Sequence, residues 1–106
     1  RMQLFTKKRV SVIVEGSYKD AVVELIGDSG ASGFTIYEGI CGKGRHGMKK
    51  SRGGVGDLSG NVEVATITSP GVTDRILQGL QQMMDRGIML VVHVADVQVI
   101  RDRHFS

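Results

Sequence analysis

Residues 34–68 read FTIYEGICGKGRHGMKKSRGGVGDLSGNVEVATIT. Two β-favouring runs, FTIY at 34–37 and NVEVATIT at 61–68, enclose about 20 residues with no hydrophobic period of any kind. Alternation on either side marks two strands, and the interval between them is one long glycine-rich loop over residues 40–59. Loops of that length are uncommon in small domains and are functional or disordered when they occur. The rest of the chain must therefore build a domain able to carry such a loop.

Upstream, Val10, Val12 and Val14 alternate with Arg9, Ser11 and Glu15, the period of a strand, while Ile13 sets an apolar residue on the polar side. Ser17 and Asp20 have the spacing of a capping box, and Tyr18, Ala21, Val22, Leu25 and Ile26 share a helical face that Gly30 closes. Downstream, Ser69–Pro70 starts a second helix whose stripe is Val72, Ile76, Leu77, Leu80, Met83 and Met84, closing at Gly87. Ile88 to Val94 is almost continuously apolar and reads as a strand buried on both faces; Val97, Val99 and Ile100 suggest a short terminal strand.

The resulting order is βαββαβ with a tail strand, an α+β ferredoxin-like arrangement. It makes residues 8–103 a single domain with residues 1–7 as an N-terminal extension. Right-handed crossovers put both helices on one face of the sheet. Ile13, Ala65, Ile67 and the run 88–94 then leave apolar residues on the other, which predicts a homo-oligomer that covers them.

Composition agrees. A chain of 106 residues that is 41% hydrophobic holds one modest core, and 5% aromatic content with no Trp means a core of Val, Ile, Leu and Met. No apolar stretch approaches the roughly 18 residues that cross a bilayer, and the N-terminus lacks the apolar centre of a secretion signal, so the expected location is the cytoplasm. The single cysteine, Cys41, rules out an internal disulfide framework and cannot alone build a structural zinc site. Net charge is +3, yet Lys43, Arg45, Lys49, Lys50 and Arg52 against Asp57 give the loop +4 and leave −1 for the remainder. The loop holds the whole positive balance.

Gly42-Lys43-Gly44-Arg45-His46-Gly47 matches the G-x-G-x-x-G dinucleotide pattern in form only. That fingerprint needs a helix to begin inside it, MKKSRGGVG cannot sustain one, and the chain is too short for a Rossmann domain. What survives is an anion site at the loop's root, where glycines let backbone N–H groups converge and Lys43 and Arg45 add charge. The bland alternative is a solvated loop with incidental charge. Cys41 reads as an inert thiol, His93 as a hydrogen-bonded core residue, and His46 and His104 as exposed. No Ser/His/Asp set, carboxylate pair or metal-ligand spacing assembles, which predicts a non-catalytic protein. Arg101 and Arg103 alternate, so both can point to one side, toward phosphate or solvent. A nucleic-acid module using the loop as an electrostatic clamp is the alternative from another class, although the loop has no aromatic residue to stack on bases.

With these residues in view, the chain resembles the PII signalling proteins and their PII-like relatives over residues 8–103. The stretches that carry the likeness are DSGASGFTIYE at 28–38, GKGR at 42–45 and VADVQVIRDR at 94–103. The resemblance implies a homotrimer with its sheets inward and adenine nucleotide in the clefts between subunits. Ile13 and Thr35 would lie near the adenine, Gly42, Lys43, Gly44 and Arg45 near the phosphates, Gly87 before the fourth strand, and Arg101 with Arg103 near the phosphates from the C-terminal strand.

Departures from the family pattern are informative. The uridylylated tyrosine of many PII proteins falls near Gly56, the phosphorylated serine near Gly54, and the glutamine for magnesium and 2-oxoglutarate at His46, which argues against nitrogen sensing. Two lysines that serve the triphosphate are Ile88 and either Ser59 or Gly60 here, favouring ADP or AMP, with ATP weaker. DSGASGFT and GKGR are most similar to the branch linked to inorganic-carbon uptake. That implies bicarbonate as a second anion and a membrane transporter or carboxysome-type carbon-concentrating protein as partner. A metal-tolerance protein of the CutA type shares the trimeric plan, but Cys41, His46 and His104 make a poor ligand set, so no metal site is expected.

Overall fold

The computed structural model describes residues 2–40, with Ile40 by its backbone alone, and residues 60–103. The elements run β1 (Phe5–Glu15), a 3-10 turn (Gly16–Tyr18), α1 (Lys19–Ser29), β2 (Thr35–Ile40), β3 (Asn61–Thr68), α2 (Pro70–Asp85) and β4 (Leu90–Val99). The strands form one four-stranded sheet in the order β2-β3-β1-β4, with every neighbouring pair antiparallel. This is the ferredoxin-like βαββαβ arrangement that the sequence predicts.

Register decides which side chains are buried. Val10, Val12 and Val14 stand opposite Thr66, Val64 and Val62 on one side and opposite Val94, Val92 and Leu90 on the other. The five valines of β1 and β3 in these rows pack with Val22 and Ile26 of α1 and with Val72, Ile76, Leu80 and Met83 of α2. Burying one such side chain contributes about 1.5–3 kcal/mol. Among the described residues no aromatic side chain enters the core, which is built of Val, Ile, Leu and Met as the composition predicts.

Helix ends follow local chemistry. The Val72 N–H donates to Ser69 Oγ at 3.3 Å, and Pro70 takes the first helical position, so α2 starts where the sequence places it. Gly30 ends α1 with φ of 112°, a left-handed conformation that favours glycine. The capping box of Ser17 and Asp20 does not form. The chain passes through the 3-10 turn first, which makes Tyr18 the residue before α1, and Ser17 Oγ instead donates to Glu15 Oε1 at 3.2 Å. Arg75 Nε donates to the Ser29 carbonyl at 3.0 Å and Thr66 Oγ1 to the Gly33 carbonyl at 2.6 Å, bracing the connection that leads into β2.

Three boundaries differ from the sequence reading. β1 begins at Phe5, because Phe5, Thr6 and Lys7 pair with Val99, Gln98 and Val97, so these residues of the expected N-terminal extension are strand. That same pairing makes Val97 and Val99 part of a continuous β4, and no separate terminal strand exists among the described residues. The run Ile88 to Val94 is covered on one side at most: Met89 is 71% and Val91 59% exposed. A continuous apolar run does not distinguish a strand covered twice from one whose second face awaits another molecule.

That second, helix-free face is organised in rows. Tyr37, Glu63, Ile13 and Val91 form one, Thr35, Ala65, Ser11 and His93 the next, and Ile67, Arg9 and Ala95 the third. Beyond the end of β3, Lys7 with Val97 and Phe5 with Val99 continue the face as a two-stranded ribbon.

Candidate functional site

The two ends of the sheet are built differently. At one end, β1 stops at Glu15, β2 at Ile40, β3 starts at Asn61, and α2 turns into β4 through Arg86 and Gly87. Both roots of the long segment are tied down here. The Gly16 N–H donates to the Gly60 carbonyl, and Lys19 Nζ lies 3.6 Å from Glu38 Oε2. A register shift between Glu38 and Ile40, with Gly39 at φ of 72°, re-aims the chain as it leaves β2. Gly87, with φ of 94°, makes the tight turn before β4.

Gly42, Lys43, Gly44 and Arg45 lie outside the described residues, as do Cys41, His46 and His104. In the chain they follow the end of β2 directly. Ile13 is half-buried on the helix-free face, one row in from this end, and Gly87 lies at the end itself. Thr35 opens β2 at the far edge of the same face and is exposed.

Arg101 and Arg103 are elsewhere. They follow β4, whose ten residues carry the chain about 30 Å at roughly 3.3 Å per residue to the opposite end of the sheet. Both are exposed, and between them Asp102 Oδ1 meets Lys7 Nζ at 2.8 Å. One chain thus holds the residues of the expected site in two halves, Gly87 with the loop root and Ile13 at one end, the arginines at the other.

Between the halves lies a polar cluster that the sequence did not reveal. Ser11 Oγ donates to Glu63 Oε2 at 2.6 Å, and Arg9 lies 3.4 Å from the same oxygen. The Glu63 side chain is 20% exposed, so its charge needs these partners. Glu63 alternates with valines in NVEVATIT, a visible sign of an outward residue. Its partners depend on a register with β1 that no sequence pattern states. His93 shares the row of Ser11 and is exposed, where the sequence predicts a core histidine. It falls one residue out of phase with Val92 and Val94, on the face the helices leave open.

Among the described residues no group of three or more His, Cys, Asp or Glu side chains could hold a metal ion, and no helix is long and apolar enough to cross a membrane.

A four-stranded antiparallel sheet backed by two helices, with a long basic glycine-rich segment leaving one end, is the architecture of a PII-like signalling protein. The family model for nitrogen regulatory protein P-II matches residues 7–104, and the chain belongs to that family. Among solved structures, it is similar to CPII, a nitrogen regulatory PII-like protein from Thiomonas intermedia. In the form bound to ADP, AMP and bicarbonate, identity is 27%, coverage 99% of this chain and 98% of that one, and the TM-score 0.86. For the same protein bound to ADP and bicarbonate, identity is 28%, both chains are covered completely, and the TM-score is 0.86. A PII-like signalling protein from Thermus thermophilus is 28% identical over 99% of this chain and 100% of that one, with a TM-score of 0.78. The comparison with curated proteins found no match.

Proposed function

We propose that this chain is a homotrimeric sensor of adenine nucleotides, binding ADP or AMP in preference to ATP and bicarbonate as a second anion. Nucleotide and bicarbonate order the basic loop, which then engages or releases a membrane transporter or a carbon-concentrating partner. The protein acts by binding and catalyses no reaction.

The observation that carries this reading is the separation of the two half-sites. Gly87 and the loop root lie the length of β4 away from Arg101 and Arg103. A cleft that uses both must draw them from neighbouring copies, and each copy presents a largely apolar sheet face able to pack against another. In such a cleft Ile13 and Thr35 border the adenine. Gly42, Lys43, Gly44 and Arg45 of one copy meet the phosphates, with Arg101 and Arg103 supplied by the next. The preference for short phosphate chains is supported by Ile88, which packs against the core, and by Gly60, whose carbonyl accepts from Gly16. Neither position offers a cation for a third phosphate. The ADP, AMP and bicarbonate bound to CPII support the same ligand set.

Calorimetry with AMP, ADP and ATP, beside light scattering of the eluted protein, tests the reading. Binding of ADP or AMP to a trimer is the expected result. No binding of any of the three at millimolar concentration overturns it.

A further inference from the structure

We infer that Lys7 and Asp102 form a latch that sets the C-terminal arginines for phosphate contact, an inference that rests on the nucleotide reading above. Beyond Val99 the chain leaves the sheet: Ile100 is 62% exposed, and β4 ends before it. A segment outside the sheet frays unless something ties it down, since each ordered residue loses backbone entropy. One such tie is the 2.8 Å contact of Lys7 Nζ with Asp102 Oδ1, a charge-assisted hydrogen bond.

The two partners are not equivalent. The Lys7 side chain is 12% exposed and that of Asp102 60%, so the cation is held in the sheet and the tail comes to it. Lys7 sits opposite Val97 on the helix-free face, with its position set by the β1–β4 register rather than by the tail. An ammonium so far withdrawn from water needs a counter-charge, and Asp102 supplies it.

The latch has a second effect, on charge. The sequence Arg101-Asp102-Arg103 would otherwise set a carboxylate between the two guanidinium groups and oppose an incoming phosphate. Engaged by Lys7, the carboxylate is neutralised, and the Arg101 guanidinium meets an anion with no opposing charge beside it. Lys8 and Asp96 make a comparable pair, at 2.6 Å, but it lies within the β1–β4 ribbon and holds no segment outside the sheet. It serves as the control.

The test is calorimetric titration of the assembled protein with ADP, run on the unaltered chain and on Lys7→Met, Lys7→Arg, Asp102→Asn and Asp96→Asn. Lys7→Met should weaken binding about tenfold, the effect of one charge-assisted hydrogen bond, and Lys7→Arg should retain affinity within about twofold. Asp102→Asn is the decisive variant, because removing a negative charge near the phosphates would by itself tighten binding, whereas freeing the tail weakens it. A loss of about threefold or more in Asp102→Asn, with Asp96→Asn unchanged, supports the latch. Equal or tighter binding in Asp102→Asn overturns it. Asp102 is exposed enough for that variant to fold even if Lys7→Met does not. Absence of ADP binding by the unaltered chain overturns the nucleotide reading instead, so the two failures are distinct.

Discussion

The Gly16 N–H donates to the carbonyl of Gly60, so the turn that follows β1 is bonded to the last residue before β3, where the long basic segment rejoins the sheet. A Cβ on Gly16 would stand 3.0 Å from that carbonyl oxygen, closer than backbone can readily accept. Gly16→Ala should cost about 1 kcal/mol, roughly 4–8 °C in Tm for a domain of this size. Thermal melting checks the stability. ADP affinity should fall with it, since the displaced atom is the root of the loop.

Gly79 and Gly27 make a contrast inside the helices. A Cβ on Gly79 of α2 would collide with the side chain of Leu25 in α1, while one on Gly27 meets nothing within 4 Å. Gly27→Ala should stabilise by about 0.5–1 kcal/mol through helix propensity and a less flexible unfolded chain. Gly79→Ala should lose that gain to overpacking and end about 1–2 kcal/mol destabilised. Urea unfolding midpoints of the two variants should move in opposite directions.

Glu63 accepts from Ser11 and faces Arg9 on the side of the sheet that the helices leave open. Glu63→Ala removes the acceptor and leaves a half-buried guanidinium, an expected loss of about 1–2 kcal/mol. In a double-mutant cycle with Ser11→Ala the losses should be less than additive, because both remove the same hydrogen bond. Full additivity in denaturant titrations at fixed protein concentration would show the bond to be absent.

If neighbouring copies share each cleft, defective chains should complement one another. A variant lacking Arg101 and Arg103 and a variant lacking Lys43 and Arg45 should each bind ADP poorly. Unfolded together and reassembled in equal amounts, they should regain about one intact cleft in four by random cyclic assembly. Stoichiometry from calorimetry reads this directly, and no recovery in a mixed assembly would place both half-sites within one chain.

The helices and their ends were legible because the responsible signals are local. Ser69 before Pro70, Gly30 after an apolar stripe, and the Val72–Ile76–Leu80–Met83 spacing act within a turn or two of chain. The strand extents were less legible. Val97 and Val99 belong to β4 because Lys7 and Phe5 lie opposite them, residues some 90 positions away in sequence. The role of Ser17 was missed for a local reason: a 3-10 turn precedes α1, and its hydrogen-bond period differs from that of the helix it introduces.

The opening stretch, residues 34–68, determined two adjacent strands and a long basic interval between them by itself, since alternation and its absence are properties of consecutive residues. The surrounding apolar periods determined the βαββαβ order and most of the core. Only the tertiary structure decided that Lys7 meets Asp102, that Ser11 and Arg9 meet Glu63, that His93 faces outward, and that Gly87 and Arg101 stand at opposite ends of the sheet. These relationships depend on antiparallel register between distant segments, and a shift of one residue would send every side chain to the other face.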